Sequence, residues 1–503
     1  MRAAITIAGF LTVFLRRRVL RRGALRLPVV RWTLTAGMTL ALAAACATGV
    51  VTLRKLIVDP ALLTPLLRVA GTSAPVWVLG LFAVVRLLFL RSGELVELTY
   101  SFPVTNRSRT LGFMVFEVVL VALGAVVVLA ALLAGALAIG GLAVVDDILL
   151  CLLMPVVTTY LLADVGYLLL ERLLLRLGMA RLRAFLMPLV LAAALIGVFF
   201  AVNGQSEAVL FAAVDGSTVF APQLIFADVA TAHGPLAATL LWIASSAALV
   251  LAAVAASPRA FMPTRRFVRV PRVLGASEFA AHFDAHVRSI ETITVYGLAI
   301  AGSLGLLLLH IALPPVLLIA VTVQAVYAAA AVSPLRTVGP RRHGPMTRYL
   351  LIIGPQFVGL ALCAVPTGLL SALQGIPLDQ VLAVIGFCLS NIVVLTLAGI
   401  VFPPEKGNPF SVIIGMATAA LTTGTLLLGA NILGLPEVAV TAALVATSLA
   451  AAALSIAGIL RIERTERHEV GVQSTRKRRG RDRADRGGGG RDGDLVDVLR
   501  RRH

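Results

Sequence analysis

Apolar side chains along this chain fall into long runs, and the polar residues gather in short stretches between them. A run of about 20 apolar residues is long enough to carry a helix across the hydrocarbon core of a bilayer. Inside that core every backbone N–H and C=O must be paired within its own segment, which selects helices. Runs bounded by charge or turn residues predict about twelve spans. They lie near 29–50, 72–91, 111–141, 148–170, 184–203, 235–256, 292–312, 315–333, 349–371, 379–402, 409–430 and 437–460.

Two further stretches carry the pattern of an amphipathic helix. Residues 5–15 are apolar and are followed by Arg16, Arg17, Arg18, Arg21 and Arg22. A cleavable signal has its charges in front, so this order predicts an interfacial helix on the inner membrane surface instead. In GASEFAAHFDAHVRSIE, Phe279, Phe283, Val287 and Ile290 fall on one helical face, which predicts a second such helix.

Composition fixes the solvent. The chain is 59% hydrophobic and only 14% charged, against about 25% charged in ordinary soluble domains. That leaves too little polar surface for a soluble enzyme. A formal net charge of +19 would point to nucleic acid in a soluble protein, but in a membrane protein Lys and Arg collect in cytoplasmic loops. No nucleic-acid partner is expected.

The loops test the span count. With a cytoplasmic N-terminus, the inside loops hold Arg91, Arg107 and Arg109, then Arg172, Arg176, Arg181 and Arg183. Arg259, Arg265, Arg266, Arg269 and Arg272 follow, then Arg336, Arg341, Arg342 and Arg348, then Lys406 and the tail from Arg461. The outside loops hold Asp146, Asp147, Glu207, Asp215, Asp228, Asp379 and Glu437; only Arg54, Lys55 and Arg68 in the first of them break the pattern. An error of one span would invert every later loop, so the ledger supports both termini inside, in a multi-pass cell (inner) membrane protein.

The halves share this pattern. Each opens with an amphipathic stretch, continues with two spans joined outside, then a basic, proline-containing inside loop and four more spans. The expected fold is an all-α polytopic protein built from two parallel six-helix repeats. Residues 1–257 form the first domain with its interfacial helix, and 258–460 the second with its own. Residues 461–503 are a polar, basic cytoplasmic tail with too few apolar residues to fold alone.

Sites for chemistry are sparse. The nearest approach to a phosphate loop runs between Gly339 and Gly344, but Pro345 and Met346 occupy the places of Lys and Ser/Thr, so nothing there neutralises phosphate or holds magnesium. His282, Asp284 and His286 place two histidines one helical turn apart without a third ligand; the expected reading is a solvated helix face and no metal. The cysteines, Cys46, Cys151, Cys363 and Cys388, all lie in apolar runs and form no CxxC.

Intramembrane charge is costly and marks function or pairing. Arg86, Glu117 and Asp164 lie toward the cytoplasmic ends of their spans, where snorkelling is cheap. Arg86 and Glu117 stand at comparable depth on spans flanking one loop, in place to pair. Structural pairing is favoured over a proton relay, because the deeper polar residues are the neutral Gln324, Gln356, Asn391 and Thr422.

The loop ELVELTYSFPVTNRSRT stands out by position. Glu94 and Glu97 follow one span, Phe102, Pro103 and Val104 make a compact apolar turn, and Arg107 and Arg109 open the next. A short helix with an exposed Phe and mixed charge suits a groove on a cytoplasmic partner. Here the chain resembles the permeases of type-2 ABC exporters, whose loop at this place carries a coupling helix of the form E-L-x-x-L-x-x-x-P-V-S-R. Glu97 and Leu98, and Phe102 to Thr105, match that stretch; Thr105 and Asn106 stand where the family has Ser-Arg. The segment FPPEKGNPFS at 402–411 looks like the inside loop of fused bacterial permeases, and 204–234 is similar to the family's re-entrant helices.

The resemblance implies a non-hydrolytic permease subunit without a cofactor, coupled to a separate ATPase, in two copies, that binds ATP and magnesium. Its contacts would be Glu94, Glu97, Phe102, Pro103, Val104 and Arg107 in the first half and Pro334, Arg336 and Arg341 in the second. The remaining partners would be the lipid bilayer and an exported substrate. Two alternatives stay open: a twelve-span secondary transporter, and a membrane lipid- or glycan-processing protein for which Asp146 and Asp147 would be the site.

Overall fold

The computed structural model describes residues 2–20, 28–57, 62–86, 99–100, 104–179, 182–215, 217, 219–258, 277–308, 310–313, 315–331, 344–402, 423, 436 and 438–461. Among them there is no strand, and ten helical segments are long and apolar enough to cross a membrane. The chain is therefore an all-α, multi-pass membrane protein.

The first half opens with α1 (Arg2–Leu20) and α2 (Pro28–Leu56). Ala4, Ile7, Ala8 and Leu11 of α1 are buried, the i, i+3, i+4, i+7 stripe of an amphipathic helix. Then come α3 (Leu63–Val84), α4 (Asn106–Val128), α5 (Ala130–Gly140) and α6 (Met154–Arg176). The side chain of Ile7 in α1 lies against Gly112 of α4, where a Cβ would collide with it. The chain continues with α7 (Arg183–Asp215), the short α8 (Ile225–His233) and α9 (Pro235–Ala256).

In the second half, α10 (Glu278–Val287) comes first, started by the Ser277 hydroxyl accepting from the Ala280 N–H at 3.1 Å, a side-chain N-cap. It leads to α11 (Ile290–Leu308), α12 (Leu318–Thr322), α13 (Ala325–Ala331), α14 (Pro345–Leu373), α15 (Leu378–Val401) and α16 (Val438–Arg461). The turn from α14 into α15 uses Gly375 at φ 76°, with the Ile376 N–H on the Ser371 carbonyl and the Gly375 N–H on that of Ala372. This is a Schellman ending, and it needs the left-handed conformation glycine takes freely.

Several spans differ from the sequence expectation. The span placed at 72–91 starts at Leu63, because Arg68 inside it is ion-paired with Asp228. The span placed at 184–203 runs on to Asp215. Its polar stretch is bonded sideways: Ser206 to Thr72 at 2.7 Å, and Gln205 accepts from Gln223 at 2.7 Å. The span at 111–141 is two helices meeting at Leu129, and the entry to α6 passes through a 3₁₀ turn and a π stretch, Leu149–Leu153. The span at 315–333 is the pair α12 and α13, wound tightly by i to i−3 bonds such as Gln324 N–H to Val321 O at 3.2 Å and Tyr327 N–H to Gln324 O at 3.0 Å. The span at 409–430 lies outside the described residues, Thr423 apart.

Each half keeps its own core. In the first, Val78, Phe82, Val121, Tyr160 and Leu168 form one cluster, and Leu63, Leu67, Leu152 and Leu224 another. In the second, Leu318, Ile353, Leu360, Ile392 and Ile459 form a third. The halves meet where α7 packs on α11, with the Phe185 ring over Gly297.

Candidate functional site

The polar group built into the first core comes from three helices. Arg86 follows α3 directly, Glu117 sits three turns into α4, and Tyr160, Asp164 and Tyr167 occupy one face of α6 at i, i+4 and i+7. Glu117 and Asp164 have no exposed surface, and the Arg86 side chain is 12% exposed. Arg86 therefore does not snorkel outward as its place near the end of a span suggested; its guanidinium turns into the bundle.

There one nitrogen serves both carboxylates. Arg86 Nη2 lies 3.0 Å from Glu117 Oε2 and is ion-paired and hydrogen-bonded with Asp164 Oδ1. The Tyr160 hydroxyl donates to Glu117 Oε2 at 3.0 Å. The guanidinium carbon is 5.4 Å from the centre of the Phe82 ring and 4.9 Å from that of Tyr167, within cation–π range. Phe82 meets both tyrosines edge-on at 5.9 Å. The result is a buried cation with two acidic partners, a phenol and aromatic walls. Glu117 Oε1, Asp164 Oδ2 and Arg86 Nε have no hydrogen-bond partner among the described residues. Sequence reading named Arg86, Glu117 and Asp164 but missed Tyr160 and Tyr167; the signal was their spacing around Asp164.

Of the loop residues expected to contact a partner, Glu94, Glu97, Phe102 and Pro103, and in the second half Pro334, Arg336 and Arg341, lie outside the described residues. The exit of the first loop is described. Val104 is partly buried against the cluster of Ile7, Leu11 and Phe116, Thr105 caps α4 by accepting from Ser108 N–H at 3.3 Å, and Arg107 is exposed. Arg109, counted from sequence as a loop charge, is buried. Its guanidinium stacks 3.8 Å from the Tyr100 ring centre and donates to Thr99 O at 3.2 Å and Asn106 Oδ1 at 3.3 Å. Burial pushes the Tyr100 hydroxyl up in pKa, and Arg109 opposes the shift. Tyr100 donates to Pro258 O at 3.2 Å, and Thr110 bonds Ser257 at 2.7 Å. The loop exit is thus tied both to α1 and to the end of α9.

The histidine pair corrects the expectation of a solvated face. His282 and His286 are both buried. His282 Nδ1 donates to the Glu278 carbonyl at 2.9 Å. His286 Nδ1 faces the Gln356 amide nitrogen at 3.1 Å and its Nε2 faces the Tyr296 hydroxyl at 2.9 Å. The amide donates, so the ring is neutral with its proton on Nε2. Burial lowers the His286 pKa to about 4. Among the described residues no three His, Cys, Asp or Glu side chains come together in a way that would hold a metal.

Comparison with protein families, characterised proteins and solved structures returns no match. The multi-pass helical class stands on the fold.

Proposed function

We propose that the chain is the transmembrane permease subunit of an ATP-driven exporter, with about twelve spans in two parallel repeats, both termini cytoplasmic, and the work of ATP hydrolysis done by a separate ATPase dimer. The observation that carries this reading is the way the exit of the first inside loop is held. Val104 rests on α1, Arg109 is stacked on Tyr100, and Tyr100 and Thr110 are bonded to the end of α9. A force applied at such a loop moves α1, α4 and α9 together, as coupling to an external motor requires. The motifs at Glu97 and Phe102 to Thr105 supply the docking chemistry.

The test is copurification of the full chain with an ATPase, alongside Phe102→Asp and Pro103→Asp variants. The expected outcome is an ATPase that copurifies with the wild type and is lost, together with ATP-dependent efflux from vesicles, in both variants. The reading fails if the variants keep the ATPase and full transport. A second reading, a secondary transporter, is favoured by the buried Arg86–Glu117–Asp164 group; transport driven by an imposed ion gradient without ATP would establish it.

A further inference from the structure

The group around Arg86 does not balance if every member is charged. Two carboxylates, Glu117 and Asp164, meet one guanidinium, and both ion-pair with the same nitrogen. Among the described residues no further cation is paired with either carboxylate. On α3 the remaining basic residue, Arg68, is paired with Asp228 at the far end. On α4, Arg107 is exposed and Arg109 is committed to Tyr100, Thr99 and Asn106. On α6, Glu171 is paired with Arg183 of α7 at 2.5 Å, Arg172 and Arg176 are exposed, and Tyr160 and Tyr167 are phenols. From α9 the core receives Ala253 and Ala256, and that helix carries no ionisable residue.

An unbalanced buried charge is strongly unfavourable, and a like charge beside a carboxylate opposes its ionisation. Two oxygens, Glu117 Oε1 and Asp164 Oδ2, belong to side chains with no exposed surface and have no partner among the described residues. They are where the missing positive charge belongs. We infer that Glu117 and Asp164 form a binding site for one exchangeable proton, carried on one or other of the two carboxyl groups and neutralising the cluster with Arg86. Withdrawal of Arg86 from α4 and α6 would leave the carboxylates without their cation, and the same site would then take up a second proton. Helix separation is thereby linked to proton uptake.

The charge count gives a sharp test by infrared difference spectroscopy of the full chain in lipid nanodiscs. Near neutral pH the wild type should show a protonated-carboxyl carbonyl band that shifts in heavy water. Glu117→Gln and Asp164→Asn each leave one carboxylate against one guanidinium, so each should abolish the band. Arg86→Gln leaves two carboxyls without a cation and should raise it about twofold. The inference is overturned if the wild type lacks the band, if either carboxyl variant keeps it, or if sodium removes it, which would assign the site to a metal cation. The two carboxyl variants decide the matter even if Arg86→Gln does not fold.

Discussion

His286 shows how a single side chain can be misread in sequence and what its burial does. Its neighbours Phe279 and Phe283 mark an apolar stripe, which placed the histidines on the opposite, wet face. In the structure Tyr296 of α11 and Gln356 of α14 reach it from other helices, partners that no local pattern reveals. The reverse holds for Arg86 and Glu117, whose scarcity as charges within apolar runs made them visible in the sequence. Protonating His286 would set a ring N–H against the Gln356 amide donor, so the folded protein resists it. The folded pKa of about 4 lies below the ordinary 6.5, and the unfolded chain takes up the proton first as pH falls. Stability should therefore be level above the ordinary value and decline from there down to about 4. Thermal unfolding of purified protein across that window should show the decline, and His286→Gln should flatten it.

At the scale of elements, the spans were legible because twenty-residue apolar runs leave few alternatives, while their interruptions were not. Nothing in the run 315–333 signals the tight winding of α12 and α13, which answers to packing against α15. There Gly399 sits on the backbone of Val326, where any Cβ would collide with the Val326 carbonyl. Gly386, on the same helix, has open space beside it. The two glycines look alike in sequence because the demand on Gly399 comes from a neighbour's backbone, as at the small-residue contacts of membrane helices. Gly399→Val should cost about 1–3 kcal/mol as overpacking, read as a lower melting temperature, and Gly386→Val should leave it nearly unchanged.

For the whole molecule, the sequence carried the class and the polar candidates, because hydropathy and charge placement are properties of the chain itself. It did not carry the contacts that tie the start of α4 to the end of α9, since Tyr100 and Pro258 are far apart along the chain. The separate cores on either side of the seam between α7 and α11 have a genetic consequence. Covalent continuity through 259–276 is dispensable if each half can insert and pack by itself. Residues 1–258 and 259–503, expressed as two polypeptides, should reassemble into a complex that copurifies and melts near the intact protein. A cut at 216–219 should not be tolerated in the same way, because it would part Leu224 and Ala227 from Leu63, Leu67 and Leu152, the core they complete. Such a gene could be divided at one place and not at another, and the division would fall between the clusters of the first half and that of the second.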